Sequence, residues 1–85
     1  METNPICYGL PSYIKLEDLG KNSIGINKMI KSRIIQKDAI KIISLTNQLK
    51  SVTPELDVTL ICTTNICSKS ITMLELEDIQ ILYRV

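Results

Sequence analysis

The spacing of apolar residues takes on the period of an α-helix near the middle of this chain. Five residues share one helical face at about 100° per residue: Ala39, Ile42, Ile43, Thr46 and Leu49. This pattern predicts a helix over residues 38–51, with Asp38 as its N-cap. Pro54 disfavours helical geometry at the residue before it, which sets the end of the helix. Ile40 falls outside the apolar face, so we expect it to be exposed or to touch another element.

Alternating apolar residues on both sides of this helix predict strands. Isoleucines on alternate positions favour a strand over residues 24–30, although a helix that starts at residue 22 or 23 and continues to Ile34 competes. The segment DVTLICT, residues 57–63, alternates more regularly, and so does IQILYRV, residues 79–85. Each of these two segments is therefore expected to form a strand.

The intervening segment, TNICSKSITMLELED, combines turn signals with helix signals. Thr64-Asn65 can turn the chain, because Asn tolerates left-handed backbone geometry. Residues 66–69 would then pair antiparallel with the strand before the turn. Ser70 precedes an apolar run, which is typical of the N-cap of a short helix of two turns.

The N-terminal arm, residues 1–20, is predicted to contain a short helix. A Gly-Leu-Pro turn at residues 9–11 precedes it, and leucines at a three-residue spacing favour a helix over residues 12–19. Gly20 would be the left-handed residue that ends this helix. A strand over residues 13–17 is the alternative.

These elements predict one small α+β domain over residues 1–85. The expected order is short α, β, α, β, β, short α, β. The chain is rich in Ile and Leu and has no Phe or Trp, a composition that suits strands and tight helix–sheet packing. We therefore expect a small antiparallel sheet of about four strands with helices packed on one face.

The residue types that are missing exclude most catalytic chemistry. There is no histidine, which excludes Ser-His-Asp and Cys-His nucleophiles and a phosphohistidine. The three glycines are isolated, so there is no glycine-rich phosphate loop. The acidic residues of LELED lack the EF-hand pattern and are typical of a solvated corner. We therefore expect no enzymatic activity, no bound metal and no cofactor.

The three cysteines, Cys7, Cys62 and Cys67, include no C-x-x-C pair. Without histidine, a zinc site would need all three thiolates and a carboxylate. We interpret them as reduced, buried thiols of a cytoplasmic protein, with a redox pair of Cys62 and Cys67 as the alternative. No apolar run approaches the roughly 18 residues of a membrane-spanning helix, so no membrane association is expected.

Positive charge is concentrated in the middle of the chain. Residues 21–50 carry seven basic residues against one acid, whereas both ends of the chain are net negative. Such a segment can bind an acidic protein or a nucleic acid, or its charges can be solvated and paired within the fold. Arg33, Lys37 and Lys41 form a stripe only if one helix contains all three. No aromatic residue lies in this segment to stack on a base, so nucleic acid is the less favoured partner.

The segment DVTLICTTNICSKSITML, residues 57–74, carries a resemblance to a known family. Together with the order of elements over residues 24–85, it resembles the histidine-containing phosphocarrier proteins (HPr) of the bacterial sugar phosphotransferase system. In that family the third strand leads into a Lys-Ser-aliphatic helix start, which corresponds here to Lys69, Ser70 and Ile71. The resemblance implies that Ser70 is a regulatory serine that can be phosphorylated.

The chain departs from that family at its phosphocarrier loop. The family pattern is Gly-aliphatic-His-x-Arg-Pro-Ala, and the matching stretch RIIQKDA, residues 33–39, has Ile35 in place of the His. Without the imidazole this loop cannot carry a phosphoryl group. The last helix of the family has no counterpart after the fourth strand. We expect the helix over residues 12–19, a partner, or a second copy of the chain to cover that part of the sheet.

These observations lead to a non-enzymatic protein-binding module, similar to a degenerate HPr-like protein, as the leading hypothesis. It would dock an acidic partner through a basic patch that also offers a possible phosphorylation site. The patch consists of Arg33, Lys37, Lys41, Lys69 and Ser70. One alternative is a small assembly or adaptor subunit that uses an exposed apolar face or an edge strand. The other is a weak nucleic-acid binder through residues 21–50.

Overall fold

The structure is a computed structural model that describes residues 2–84. Within this range the elements, in chain order, are a 3-10 helix (Pro5–Tyr8), β1 (Lys15–Gly20), β2 (Ser23–Lys28), α1 (Gln36–Val52), β3 (Asp57–Cys62), α2 (Ser68–Leu76) and β4 (Gln80–Tyr83). The predicted α+β class and the four-stranded sheet are confirmed. The strand predicted over residues 24–30 is present as β2, which ends two residues earlier, and the competing helix does not form. Val85, the end of the predicted final strand, lies outside the described residues.

The four strands form one mixed sheet in the order β1-β2-β3-β4. β1 is antiparallel to β2, but β2, β3 and β4 run parallel to one another. The predicted antiparallel orientation was therefore wrong for two of the three strand pairs. The reason is that α1, at 1.5 Å per residue, is ~25 Å long and returns the chain to the end of the sheet where β2 began. The next strand must then run in the same direction, and α2 repeats this crossover.

Residues 66–69 do not form the predicted antiparallel return strand. Ile66 makes a single parallel bridge with Ile34, and α2 begins shortly afterwards. Cys67 is the N-cap of α2, and its sulfur accepts a hydrogen bond from the backbone N–H of Ser70. Ser70 therefore lies inside the first turn of α2, and its prediction as the N-cap was wrong.

The N-terminal arm contributes a strand in place of the predicted helix over residues 12–19. β1 overlaps the alternative strand, residues 13–17, and joins β2 through a tight turn at Lys21 and Asn22. Asn22 (φ 57°) and Gly20 (φ 119°) both have positive φ angles, which these two residue types tolerate. Pairing with β2 satisfies the backbone hydrogen bonds of the arm, and this outweighs the helical spacing of its leucines.

α1 extends the predicted helix by two residues at its start. Ile35 is the N-cap and Asp38 is the third helical residue, so the prediction of Asp38 as N-cap was wrong. The carboxylate still caps the helix, because Asp38 Oδ2 accepts a hydrogen bond from the Ile35 N–H at 3.1 Å. At the other end the helix runs to Val52, one residue beyond the predicted end, and Thr53, directly before Pro54, is the C-cap. Ile40 is exposed.

The core lies between the sheet and the two helices. Both crossovers step in the same direction across the sheet, so crossovers of the usual right hand place both helices on one face, and α1 contacts α2. The buried apolar residues of this layer include Ile24, Ile26, Val58 and Leu60 from the strands and Ala39, Ile42, Leu49 and Leu74 from the helices. Among residues 2–84 no helix is long and apolar enough to cross a membrane.

Side chains of the strands themselves close the opposite face of the sheet. Gly25 is buried in β2, and a Cβ at this position would lie 2.5 Å from Ile61 Cδ1 and 3.0 Å from Leu19 Cδ1. Because Gly25 has no side chain, Ile61 and Leu19 can pack over β2, and Ile61 is fully buried. Beside them Arg84 forms an ion pair with Glu17.

Candidate interaction site at the helix starts

The loops that leave β2 and β3 meet at one end of the molecule. The Ile34 N–H donates to the Asn65 carbonyl at 2.9 Å, and the Cys67 N–H donates to the Ile34 carbonyl at 3.0 Å. These bonds hold together the carboxyl ends of two parallel strands and the N-terminal ends of α1 and α2. We call this region the helix-start end. In open α/β sheets, ligands bind at the carboxyl ends of the strands.

A cleft of about 240 Å³ opens at this end between β1, β2 and α1. Lys15, Lys28 and Lys41 line it, together with the ring of Tyr13. The Lys41 Nζ lies 5.6 Å from the centroid of that ring, which is within the range of a cation–π interaction. None of the described lining residues is acidic, and the remaining lining is apolar apart from Asn27. We call this cavity the basic cleft.

Asn27 fixes the wall of the basic cleft where β2 ends. Its Nδ2 donates to Glu17 Oε2 at 2.6 Å, and its Oδ1 accepts from the Met29 N–H at 3.2 Å. Glu17 also accepts hydrogen bonds from Arg84, and together these bonds lower the pKa of Glu17. The Glu17 carboxylate is therefore hydrogen-bonded to Asn27 and Arg84, and it is not among the residues that line the cleft.

A second depression, the helix-start groove, lies between the first turns of α1 and α2. Its lining residues are Gln36, Ser68, Lys69, Thr72 and Met73. Arg33 is on this side as well, because it precedes Ile34, whose carbonyl accepts a hydrogen bond from the N–H of Cys67. Hydrogen bonds from Ser70 lower the pKa of the Cys67 thiol, and the charge of Arg33 contributes less to this shift. Lys69 lines the groove itself, and Arg33 lies beside the N-cap of the same helix.

The structure divides the predicted basic patch between these two places. α1 begins after Arg33, so the stripe of Arg33, Lys37 and Lys41 on one helix does not form. Lys37 and Lys41 lie one turn apart on α1, and Lys41 lines the basic cleft. Arg33 and Lys69 lie on the side of the helix-start groove. All four cations nevertheless belong to the helix-start end.

Ser70, the fifth residue of that patch, is fully buried. Its hydroxyl lies 2.9 Å from Cys67 Sγ, and its backbone N–H donates to the same sulfur at 3.4 Å. Ser70 therefore does not belong to the accessible surface of the helix-start end. Its phosphorylation stays a prediction, and it would require the first turn of α2 to open.

The three cysteines are free thiols in different environments. Cys62 is buried, and burial raises the pKa of its thiol. Cys67 is half-buried and Cys7 is exposed, so the interpretation as buried thiols fits only Cys62 fully. Among residues 2–84 no three Cys, Asp or Glu side chains are grouped so that they could hold a metal ion.

Sequence reasoning missed Tyr13 and Lys15 as parts of the site, and it included Lys28 only through the basic segment of residues 21–50. The first two were assigned to an N-terminal helix that was remote from the basic segment. Pairing of β1 with β2 places Lys15 opposite Asn27 and next to Lys28. The signal that could have found them is the turn at residues 20–23, because a hairpin there fixes which residues face one another.

Acidic residues lie at the opposite end of the sheet. Asp57 is the first residue of β3, and Glu75 and Asp78 lie at the end of α2, just before β4 begins. All three line a shallow groove of about 710 Å³. These three carboxylates therefore lie at the end of the sheet opposite the helix starts.

Comparison of the chain with protein-family models, with curated proteins and with solved structures finds no match. The predicted relationship to the HPr family therefore stays a prediction. We expected an antiparallel sheet together with this relationship, but the sheet of this chain is mixed, with two parallel strand pairs.

Proposed function

We propose that this protein is a non-enzymatic binding module that docks an acidic protein partner at its helix-start end. The observation that supports this most directly is the excess of cations at that end, where Asp38 caps α1, and the grouping of Asp57, Glu75 and Asp78 at the other end. The predicted cations of this surface are Arg33, Lys37, Lys41 and Lys69. A surface of one sign attracts and orients an oppositely charged partner before contact.

The charges on α2 oppose the dipole of that helix. Its first turn contains Lys69 and no acid, and its last turn contains Glu75 and no base. A cation at the positive end of a helix dipole costs roughly 0.3–1 kcal/mol when it is exposed. An acidic partner that pairs with Lys69 would offset this cost, which supports binding as the reason for the arrangement.

Exposed apolar side chains lie among these cations. Ile35 is 49% exposed, Ile40 is 59% exposed, and Tyr13, whose ring contacts Lys41, is 67% exposed. Protein interfaces combine an apolar centre with a charged or polar rim, whereas nucleic acids bind chiefly through phosphates and stacked bases. The mixture of aliphatic and basic side chains therefore favours an acidic protein over a nucleic acid.

A peptide that combines glutamate and leucine tests this proposal, with affinity measured by calorimetry. We expect Lys37→Glu and Lys69→Glu each to weaken binding by roughly three- to tenfold, because each replaces attraction by repulsion. Lys21→Glu is the matched control, since Lys21 is an exposed lysine in the turn at the opposite end of β2. Equal effects of all three variants would contradict docking at the helix-start end.

A single-stranded oligothymidylate of the same charge as the peptide tests the nucleic-acid alternative. We expect it to bind more weakly than the peptide, with an affinity that falls steeply as salt rises. If the oligothymidylate binds more tightly than the peptide, the favoured partner is a nucleic acid and not an acidic protein.

A second candidate function is an assembly subunit that pairs through β4. β4 is an outer strand of the described sheet, and its residues Leu82 and Tyr83 are exposed. It contains neither proline nor lysine, the residues that commonly block pairing at sheet edges. Sedimentation of the wild type and of Leu82→Lys tests this candidate: dimers that dissociate in the variant support it, and a monomeric wild type contradicts self-assembly.

A further inference from the structure

We propose that the basic cleft binds a small organic anion whose charged head contacts the lysines and whose aliphatic body contacts the floor. The cleft borders the surface proposed for docking and shares Lys41 with it. Binding of a small anion does not require a partner protein, so it is a separate activity of this end of the molecule.

The charge of the cleft selects an anion. Lys28 and Lys41 line one cavity together with Lys15, whose side chain lies on the same face of β1 as that of Glu17, and no described lining residue is acidic. Lysines that line one cavity repel one another, and an anion bound beside them offsets that repulsion and adds attraction. Glu17, which follows Lys15 on the same strand, accepts its hydrogen bonds from Asn27 and Arg84.

The floor of the cleft selects an apolar body. Ile26 and Ile42, both buried core residues, form it, and the partly buried Ile30 and Leu45 continue it. The ring of Tyr13 forms a wall at the exposed side. An apolar base with a few charged groups near its mouth is typical of small-molecule sites, and it orients the head of the anion outward and its aliphatic chain inward.

The volume of the cleft limits the size of this ligand. Its 240 Å³ equals the volume of about eight water molecules at ~30 Å³ each. A carboxylate with a short aliphatic chain, such as hexanoate, fits this volume. The chain of a larger amphipathic anion, such as a long-chain fatty acid, would extend beyond the cleft into solvent.

Titration of the ¹⁵N-labelled full chain with hexanoate tests the proposal by nuclear magnetic resonance. We expect saturable shifts confined to the amides around the basic cleft, in residues 13–15, 26–30 and 41–45. Hexan-1-ol, which lacks the negative charge, and acetate, which lacks the longer aliphatic chain, should bind at least about tenfold more weakly than hexanoate. Equal binding of hexan-1-ol, shifts spread over the surface, or no saturable shift at millimolar hexanoate would overturn the proposal.

Variants separate this site from the docking surface. Lys28→Gln is expected to weaken hexanoate binding by roughly three- to tenfold, whereas Lys21→Gln should leave it unchanged. Lys69→Glu, which is expected to weaken binding of the acidic peptide, should also leave hexanoate binding unchanged. Amide spectra with wild-type dispersion establish that each variant is folded. Failure of the hexanoate titration with intact peptide binding would reject the anion site alone, and the reverse result would reject the docking surface alone.

Discussion

Arg84 Nη1 lies 2.9 Å from both carboxylate oxygens of Glu17. Glu17 belongs to β1 and Arg84 follows β4, so this ion pair joins the two outer strands of the sheet on the face opposite the helices. Asn27 of β2 donates to the same carboxylate. The three side chains therefore brace the sheet where no helix covers it, and they leave the lysines of the basic cleft without an acid among the lining residues.

Glu17→Gln is expected to lower the free energy of unfolding by about 0.5–1 kcal/mol at neutral pH. This loss of stability is small because the side chains of Arg84 and Glu17 are 43% and 32% exposed, and water screens the ion pair. The pKa of Glu17 is lowered in the folded state, first by the Asn27 hydrogen bond and then by Arg84. The stabilisation is therefore present above the ordinary pKa of glutamate and is lost as the pH falls through the folded-state value. Urea unfolding of both proteins at several pH values measures this, and a difference that grows towards acidic pH would contradict it.

Gly25→Ala is expected to destabilise the fold by roughly 1–3 kcal/mol, because the new methyl group would overlap the packed side chain of Ile61. Ile61→Val removes the Cδ1 atom that lies closest to that methyl group. We expect the double variant to be more stable than the sum of the two single changes predicts. Denaturant unfolding of the wild type, the two single variants and the double variant measures this coupling. Strict additivity would show that Ile61 does not press on the methyl group added at position 25.

The Cys67 thiol is expected to ionise at a lower pH than an ordinary cysteine, because the backbone N–H of Ser70 donates to its sulfur and the Ser70 hydroxyl, 2.9 Å from that sulfur, can donate to the thiolate. Ser70→Ala removes the hydroxyl and should move the pH dependence of alkylation by iodoacetamide to higher pH. A Cys7→Ser background leaves only one thiol besides the buried Cys62. An unchanged alkylation profile in Ser70→Ala would exclude the hydroxyl as the cause.

Asp38→Ala is expected to destabilise α1 by about 1 kcal/mol, because the Ile35 N–H loses its acceptor and the helix dipole loses a favourable charge. Ser44→Ala, at an exposed position in the same helix, is the matched control and should be neutral or slightly stabilising. Thermal unfolding followed by circular dichroism compares the two variants. If both variants lower the thermal stability equally, Asp38 does not cap the helix.

The sequence predicts the elements of this fold better than their connections. The apolar face of α1 and the strands around it follow from spacing alone, because burial on one side leaves a period in the sequence. Strand direction does not follow from spacing. A helix between two strands favours a parallel pair, but Thr64-Asn65 also has the residues of a hairpin turn, and only packing of α2 against α1 decides between them.

The site could be predicted only in part, for a similar reason. The basic segment shows in the sequence that Arg33, Lys37 and Lys41 belong to one charged region. The contribution of Lys15 depends on the register of β1 with β2, which is a contact between distant residues. The burial of Ser70 depends on Cys67 acting as the cap, and cysteine is not among the residues commonly found at that position.

The most direct test of docking at the helix-start end is a titration of the ¹⁵N-labelled chain with the glutamate–leucine peptide. The measurement is the set of backbone amides whose resonances shift. We predict that the perturbed amides lie in residues 29–41 and 64–70, where α1 and α2 begin, and that the shifts weaken as salt is raised. Shifts concentrated instead in β4 and at the acidic end around Asp57 and Glu75 would contradict the account.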